Sequence, residues 1–401
     1  MIYLILILLF LFPVYACDYK LWNYGDSYER GNTYKGYYFF LYIVVVLFLG
    51  LRNYVGGDTI GYMDMWKKIP FLEGLSKFDF LHAKYAPMWY ITNSFCKTIN
   101  FNFYSFQIFH AILVNGVIFY IVSKYCQYRF TVIFFYVVAT MLYFNCEILR
   151  ESLSLSCGLL AMNHYKEKKW VQYFSWSLLA LSFHKSGIVL LVIPFLYRYS
   201  ASTINYKQLL ILLIVGFIFS SFLLKHIVGS FLPFFSDSFE EYSQMKRATI
   251  FGSVRSCLIV LLVAYLVKQY ETANSNMAAT VIVGAKFYLL TQTLGLFLPI
   301  FSTRFANYFQ IYYLIILGDF IWNHYGAKKI LIFALYANFI FGVVKHQARD
   351  VSDWVSSTSH GYYFYQRYYP YYSIFDDIPY DELNHRKNIY YQERLNRLKH
   401  E

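Results

Sequence analysis

The sequence predicts an all-α, polytopic integral membrane bundle. Three observations predict it. Apolar stretches of membrane-span character recur from Met1 to about residue 344. The chain is 58% hydrophobic and only 14% charged, against about 25% charged residues in an ordinary soluble domain. Its mean hydropathy is +0.39. Residues 1–344 are therefore expected to form one transmembrane domain, followed by a polar, tyrosine-rich tail over 345–401.

Stretches bounded by polar residues give about twelve spans: approximately 1–16, 36–51, 103–123, 130–144, 152–165, 170–183, 186–197, 208–224, 251–268, 278–298, 306–322 and 328–344. The first has no basic residues ahead of its apolar run, so "VYAC" before Cys17 is read as part of an uncleaved span rather than a lipoprotein leader. The second ends at Arg52 and opens a long external loop, 52–102, within which Ala86 to Ile99 is apolar but interrupted and reads as an interfacial or re-entrant helix. Lys124 and Arg129 part the next two spans, and Lys166, Lys168 and Lys169 part 152–165 from 170–183. His184, Lys185 and Ser186 break what would be one apolar run into two short spans. Arg198 and Lys207 precede 208–224, a second external loop covers 225–250, and Lys268 separates 251–268 from 278–298. Pro299 ends that span, Arg304 enters the next, and Lys328 and Lys329 open the last.

Lysine and arginine in short loops set orientation. The loops holding Lys20, Arg30 and Lys35, then Lys124 and Arg129, the 166–169 lysines, Arg198 and Lys207, Lys268, and Lys328 and Lys329 read as cytoplasmic. The alternate set holds single cations in polar clusters, Arg150, Lys185 and Arg304, and both long loops fall on its side. The segments richest in reactive residues thus share the outer face, and an even span count puts both termini there too.

The formal net charge of +12 comes with no basic run, zinc spacing or RNA-binding signature, so nucleic acid is not an expected partner. The tail is balanced, with eight basic and eight acidic residues, so the surplus lies in the membrane part. Six scattered cysteines show no CxxC or Cys/His spacing, which predicts neither a metal site nor a disulfide framework. The 43 tyrosines and 40 phenylalanines fit interfacial aromatic belts.

Four constellations carry chemistry. In "LRNYVGGDTIGY", Arg52 sits at the membrane edge, Gly56 and Gly57 permit a tight turn, and Asp58 with Thr59 offers a helix cap before Tyr62. In "NCEILRESLSL", Glu147, Arg150 and Glu151 share one helical face, and a cation opening an apolar segment is costly enough to indicate function; the bland alternative is an ion pair of Arg150 with Glu147 or Glu151. In "SFHKSG", His184 brings a side chain that exchanges a proton near neutral pH. In "IFSTRFANYFQIYY", Arg304 offers a planar fork matched to phosphate, or else a snorkelling anchor, followed by Asn307, Tyr308 and Gln310. Arg150, Arg304 and Arg52 are the candidate diphosphate ligands, and His184, Asp58 and Glu147 compete for the base.

In this order and at these separations, the clusters resemble the EpsG-like branch of the Wzy polysaccharide polymerases: Arg52 with Gly57, Asp58, Thr59 and Tyr62; Arg150; His184 and Ser186; Arg304 and Tyr308. The likeness covers roughly residues 36–320, and "YYPYYSIFDD" resembles the tyrosine-rich ending of such proteins. Gly56-Gly57-Asp58 stands where a Gly-Thr-Asp pattern is more familiar, and Glu151 where a glutamine often follows the mid-chain arginine. The resemblance implies a metal-independent, cofactor-free glycosyltransferase of GT-C-like architecture in the bacterial inner membrane, its active site facing the periplasm or exterior. It would join undecaprenyl-diphosphate-linked oligosaccharides into capsule, exopolysaccharide or O-antigen. Gly57, Thr59, Tyr62, Glu151, Ser186 and Tyr308 would contact substrate; membrane lipid, a chain-length regulator and a flippase of the same pathway are the implied partners. The rival readings are a secondary transporter or flippase of a polar or anionic substrate, against which no internal repeat is found, and a membrane O-acyltransferase modifying surface glycans.

Overall fold

The structure, a computed structural model, describes residues 2–24, 32–80, 83–196, 199, 202–207, 209, 211, 213, 250–273, 279–296, 300–323 and 364–400. Most of the expected span 208–224, almost all of the loop 225–250, Pro299, the span 328–344 and the start of the tail lie outside the described residues. Among those described, every regular element is helical, and the one extended pairing is an isolated antiparallel bridge between Arg52 and Ser373.

Helix α1 (Ile2–Pro13) continues through a π-helical stretch (Val14–Tyr19) into α2 (Lys20–Tyr24). Then come α3 (Asn32–Gly50), α4 (Thr59–Lys68), α5 (Pro87–Thr98), α6 (Phe103–Tyr125), α7 (Arg129–Ala139), α8 (Leu149–Tyr165), α9 (Trp170–Phe183) and α10 (Ile188–Val192). After the undescribed stretch follow α11 (Ile250–Ala273), α12 (Ala279–Gly295), α13 (Gln310–Asn323) and, in the tail, α14 (Tyr380–His400). The expected spans that lie on described residues fall on these helices within a few residues. Two of the described helical runs, Ile2–Asn23 and Phe103–Tyr125, are long and apolar enough to cross a membrane unaided. Others are shorter: the 14 residues of α9 extend only about 21 Å.

Several helices turn large apolar side chains outward at helical spacing: Leu4, Leu8 and Phe12 on α1, Phe39, Ile43 and Leu47 on α3, and Val171, Phe174 and Leu178 on α9 are all exposed. Water would penalise such stripes; lipid does not. Polar groups are instead gathered inside. Asn115, Tyr136 and Asn145 close a buried ring, with Asn115 Nδ2 donating to Asn145 Oδ1 (2.9 Å), Asn145 Nδ2 to the Tyr136 hydroxyl (3.0 Å), and that hydroxyl to Asn115 Oδ1 (2.7 Å). Small residues let α8 pack closely on α9.

Two groups of contacts lie at different ends of the described helices. At one end Asp18 accepts from the Thr131 amide and hydroxyl, Tyr125 donates to Asn163, Tyr128 donates to Asn323, and Lys286 pairs with Glu271 at 2.6 Å. Lys124, Arg129 and the 166–169 lysines adjoin these contacts in sequence. The other end gathers the turn after α3, the start of α8, the α9–α10 connection, Arg304 and the tail. Tyr3 donates to the Tyr368 carbonyl at 2.6 Å, so the amino terminus of α1 and the tail share that end.

Candidate functional site

The turn between α3 and α4 owes its shape to two glycines. Gly56 adopts φ +108°, and a Cβ there would lie 2.6 Å from the Cβ of Cys146. Thr59 spends its hydroxyl on the Val55 carbonyl (2.7 Å) and is buried. Asp58 takes the N-cap position of α4 without a side-chain cap bond and stays exposed. Tyr62 is buried, its hydroxyl interacting with Arg150 and lying 3.4 Å from the Glu147 carbonyl.

Arg52, expected to meet a diphosphate, is placed with its side chain turned into the protein. Its side chain is 1% exposed, donates through Nη1 to the Leu49 carbonyl, and leaves Nε and Nη2 without partners. Its backbone carbonyl accepts from Gln107 Nε2 (2.8 Å), and its bridge to Ser373 ties the turn to the tail. The chain turns inward at the membrane edge, so this guanidinium buttresses the turn and is not brought to the other arginines.

A π-helical turn, Tyr143–Glu147, leads into α8; such turns locally re-aim side chains and are frequent at functional sites. Neither acid expected to neutralise Arg150 forms an ion pair with it. Glu147 points to the α3–α4 turn and tail, where Oε1 accepts from the Gly57 amide (2.7 Å) and the Tyr368 hydroxyl (2.5 Å). Glu151, 1% exposed, instead pairs across the bundle with Arg304 Nη1 (2.8 Å) and accepts from Asn307 Nδ2 (2.7 Å). Both oxygens of Glu151, an expected substrate contact, are thus engaged by Arg304 and Asn307, and one oxygen of Glu147, an expected base candidate, takes two hydrogen bonds.

Arg150 is thereby left a cation with no carboxylate ion pair among the described residues. Its guanidinium lies 3.8 Å from the ring centroid of Tyr85, and its Nε is buried without a partner. Tyr85 comes from the stretch just before α5, and nothing in its local sequence singled it out.

The third cluster is a directed hydrogen-bond chain. Ser154 Oγ donates to the Ala180 carbonyl (2.6 Å), an acceptor that cannot reverse the bond. With that proton committed, the Tyr308 hydroxyl 2.6 Å away must donate to Ser154. Tyr308 oxygen then accepts from Ser186 Oγ (3.0 Å), and Ser186 Oγ, its own proton spent, accepts from His184 Nδ1 at 2.6 Å. The Ser186 amide also donates toward Nδ1, at the longer distance of 3.3 Å. The arrangement that gives each of the shorter side-chain contacts its own proton puts the imidazole proton on Nδ1 and leaves a lone pair at Nε2. Tyr308 and Ser186, which the resemblance implied would contact substrate, are both buried, Ser186 at 3% exposure, and link His184 to Ser154.

His184 sits in the connection between α9 and α10, and burial together with the charges of Arg150, Arg304 and Lys185 holds its pKa well below the usual histidine value. Arg150 and Arg304, drawn from stretches of chain far apart in sequence, thus act on the same imidazole. The arrangement offers one guanidinium with no carboxylate partner among the described residues, one guanidinium anchored by Glu151, an imidazole, and the exposed Asp58 carboxylate on the turn leading to Tyr62.

Sequence reasoning missed Tyr85, Ser154 as a relay member, and the tail residues Arg367 and Tyr368. The serine ladder of α8 was a usable signal for Ser154; for the tail, an arginine embedded in "YYFYQRYYP" was the only hint. In comparison with known proteins, residues 35–377 match the family described as EpsG family. No curated protein and no solved structure gives a significant match.

Proposed function

The chain belongs to the EpsG family, and from that premise we propose that it is a metal-independent glycosyltransferase polymerising undecaprenyl-diphosphate-linked oligosaccharides on the outer side of the bacterial inner membrane. Its 1–344 domain is a multi-pass bundle of GT-C-like architecture with about twelve spans, and the end carrying Arg150, His184 and Arg304 faces the exterior. The observation that carries this reading is Arg150, a guanidinium that forms no ion pair among the described residues yet shares the electrostatic neighbourhood of His184 with Arg304.

In the proposed reaction the acceptor hydroxyl oxygen attacks the anomeric carbon of the donor chain. A new carbon–oxygen bond forms, the bond from that carbon to the diphosphate oxygen breaks, and its electron pair stays on the departing diphosphate. The hydroxyl proton passes to Nε2 of His184. Arg150 and Arg304 hold the diphosphate and stabilise the charge developing on it. Binding the anion also offsets the cationic field that weakens His184 as a base, so basicity rises only when donor is in place. Asp58, on the exposed rim, orients the acceptor.

Purified protein in liposomes, given lipid-linked repeat units of its own pathway, should produce a ladder of lengthening oligosaccharides and release undecaprenyl diphosphate. Movement of the units across the bilayer without a ladder would favour the transporter reading. Ester transfer to preformed polymer would favour the acyltransferase.

A further inference from the structure

The tail was expected only to be polar and tyrosine-rich, yet its described part is fastened to the site end by backbone as well as side chains. The Gly56 amide donates to the Arg367 carbonyl, the Asn53 amide to the Tyr372 carbonyl, and the Ile374 amide to the Leu51 carbonyl, each at 2.8 Å. Tyr371 donates to the Phe48 carbonyl at the end of α3 (2.7 Å). From α14, buried Arg386 reaches the Tyr54 carbonyl (2.8 Å) and the Pro370 carbonyl (2.5 Å) while paired with Glu382 (2.7 Å).

This strap ends on one carboxylate. Glu147 is met by the Tyr368 hydroxyl at Oε1 and, at 3.9 Å from Oε2, by Arg367 Nη1. Gly57 completes the joint: a Cβ there would lie 2.5 Å from Arg367 Nη1 and 2.7 Å from Glu147 Oε2, so the glycine is the space in which tail and turn meet. Glu147 closes the π-helical turn that leads into α8, three residues before Arg150. Any displacement of its carboxylate therefore moves the backbone that presents Arg150.

We infer that the C-terminal segment is a working part of the site: Tyr368 and Arg367 are positioning residues that clamp Glu147 against the Gly56–Gly57 turn and thereby fix Arg150 for the diphosphate. A tail that only covered the bundle would not need to deliver a phenol and a guanidinium to a buried carboxylate 221 and 220 positions away. The inference rests on the proposed polymerase reading for its kinetic arm and on geometry alone for its second arm.

The test compares Tyr368→Phe, Glu147→Gln and the double variant in the liposome assay, with Tyr391→Phe as a tail substitution remote from Glu147; Tyr391 bonds Asp64 instead. Tyr368→Phe should lower kcat/KM about tenfold, the loss of one charge-assisted hydrogen bond. Because Tyr368 acts through Glu147, the double variant should fall no further than Glu147→Gln alone, and Tyr391→Phe should match wild type. Independent multiplication of the two losses, or wild-type kinetics in Tyr368→Phe, overturns the inference. In parallel, amide hydrogen exchange should quicken in 52–58 and 143–150 for Tyr368→Phe and not for Tyr391→Phe; unchanged exchange also overturns it. If wild type makes no ladder, the polymerase reading fails while the exchange data still judge the clamp.

Discussion

Replacing Tyr308 by Phe removes one hydroxyl from the chain that runs from the Ala180 carbonyl to His184, with no change in ring packing against Gly158. Ser186 then loses the acceptor 3.0 Å away and can turn its proton onto Nδ1, which favours the imidazole tautomer bearing hydrogen on Nε2. That tautomer donates where the reaction needs an acceptor. One net hydrogen bond of about 1.4 kcal/mol changes the tautomer ratio about tenfold, so kcat should fall about tenfold. The KM for lipid-linked donor should stay within about twofold, because a group acting only on the base contributes little to ground-state binding. Initial rates of oligosaccharide extension in liposomes, measured across donor concentrations, separate the two parameters. A raised KM with unchanged kcat would refute the reasoning and return Tyr308 to the substrate-contact role that the family resemblance implied. Ser154→Ala, which removes the group that sets the direction of the chain, should reproduce the same pattern.

Three further outcomes follow from the geometry. A guanidinium about 4 Å from an anionic oxygen at an effective dielectric near 20 gains about 4 kcal/mol; discounting about 1 kcal/mol for the contact with Tyr85, Arg150→Ala should reduce kcat/KM by roughly two orders of magnitude, with Arg150→Lys intermediate, as measured by the same extension rates. Gly57→Ala forces a methyl group against Arg367 and Glu147 and should destabilise the protein by about 1–3 kcal/mol, read as a lowered melting temperature in detergent. Since the base must be neutral and its pKa is held low by burial and neighbouring cations, wild-type extension should remain on its plateau at a pH where an ordinary histidine, with pKa about 6.5, would be half protonated. Lys185→Gln removes one of those cations, favours the protonated imidazole, and should move the acid limb of the rate profile to higher pH.

The reach of sequence reasoning shows in particular residues. Apolar runs between charged residues located α3, α6, α8, α9, α12 and α13 within a few positions, because lipid exposure tolerates little else along a spanning helix. Cations in alternate short loops set the expected orientation because insertion acts on each short loop in turn. His184, Arg150 and Arg304 were legible for a related reason: an ionisable group in an apolar segment is costly enough to stand out.

What each charge would do was a different matter, since that depends on partners far along the chain. Glu151 stands beside Arg150 in sequence yet pairs with Arg304, 153 positions away; Arg52 stands at a membrane edge yet turns inward; Tyr308 lies beside Asn307 yet faces Ser154 and Ser186. Composition, helix placement and the identity of the exceptional side chains are local properties, fixed by the solvent each segment must enter. Charge pairing, the proton position on His184 and the delivery of Tyr368 to Glu147 exist only after separate helices and the tail have met, because hydrogen bonds and ion pairs depend on ångström-scale distances that no linear spacing encodes.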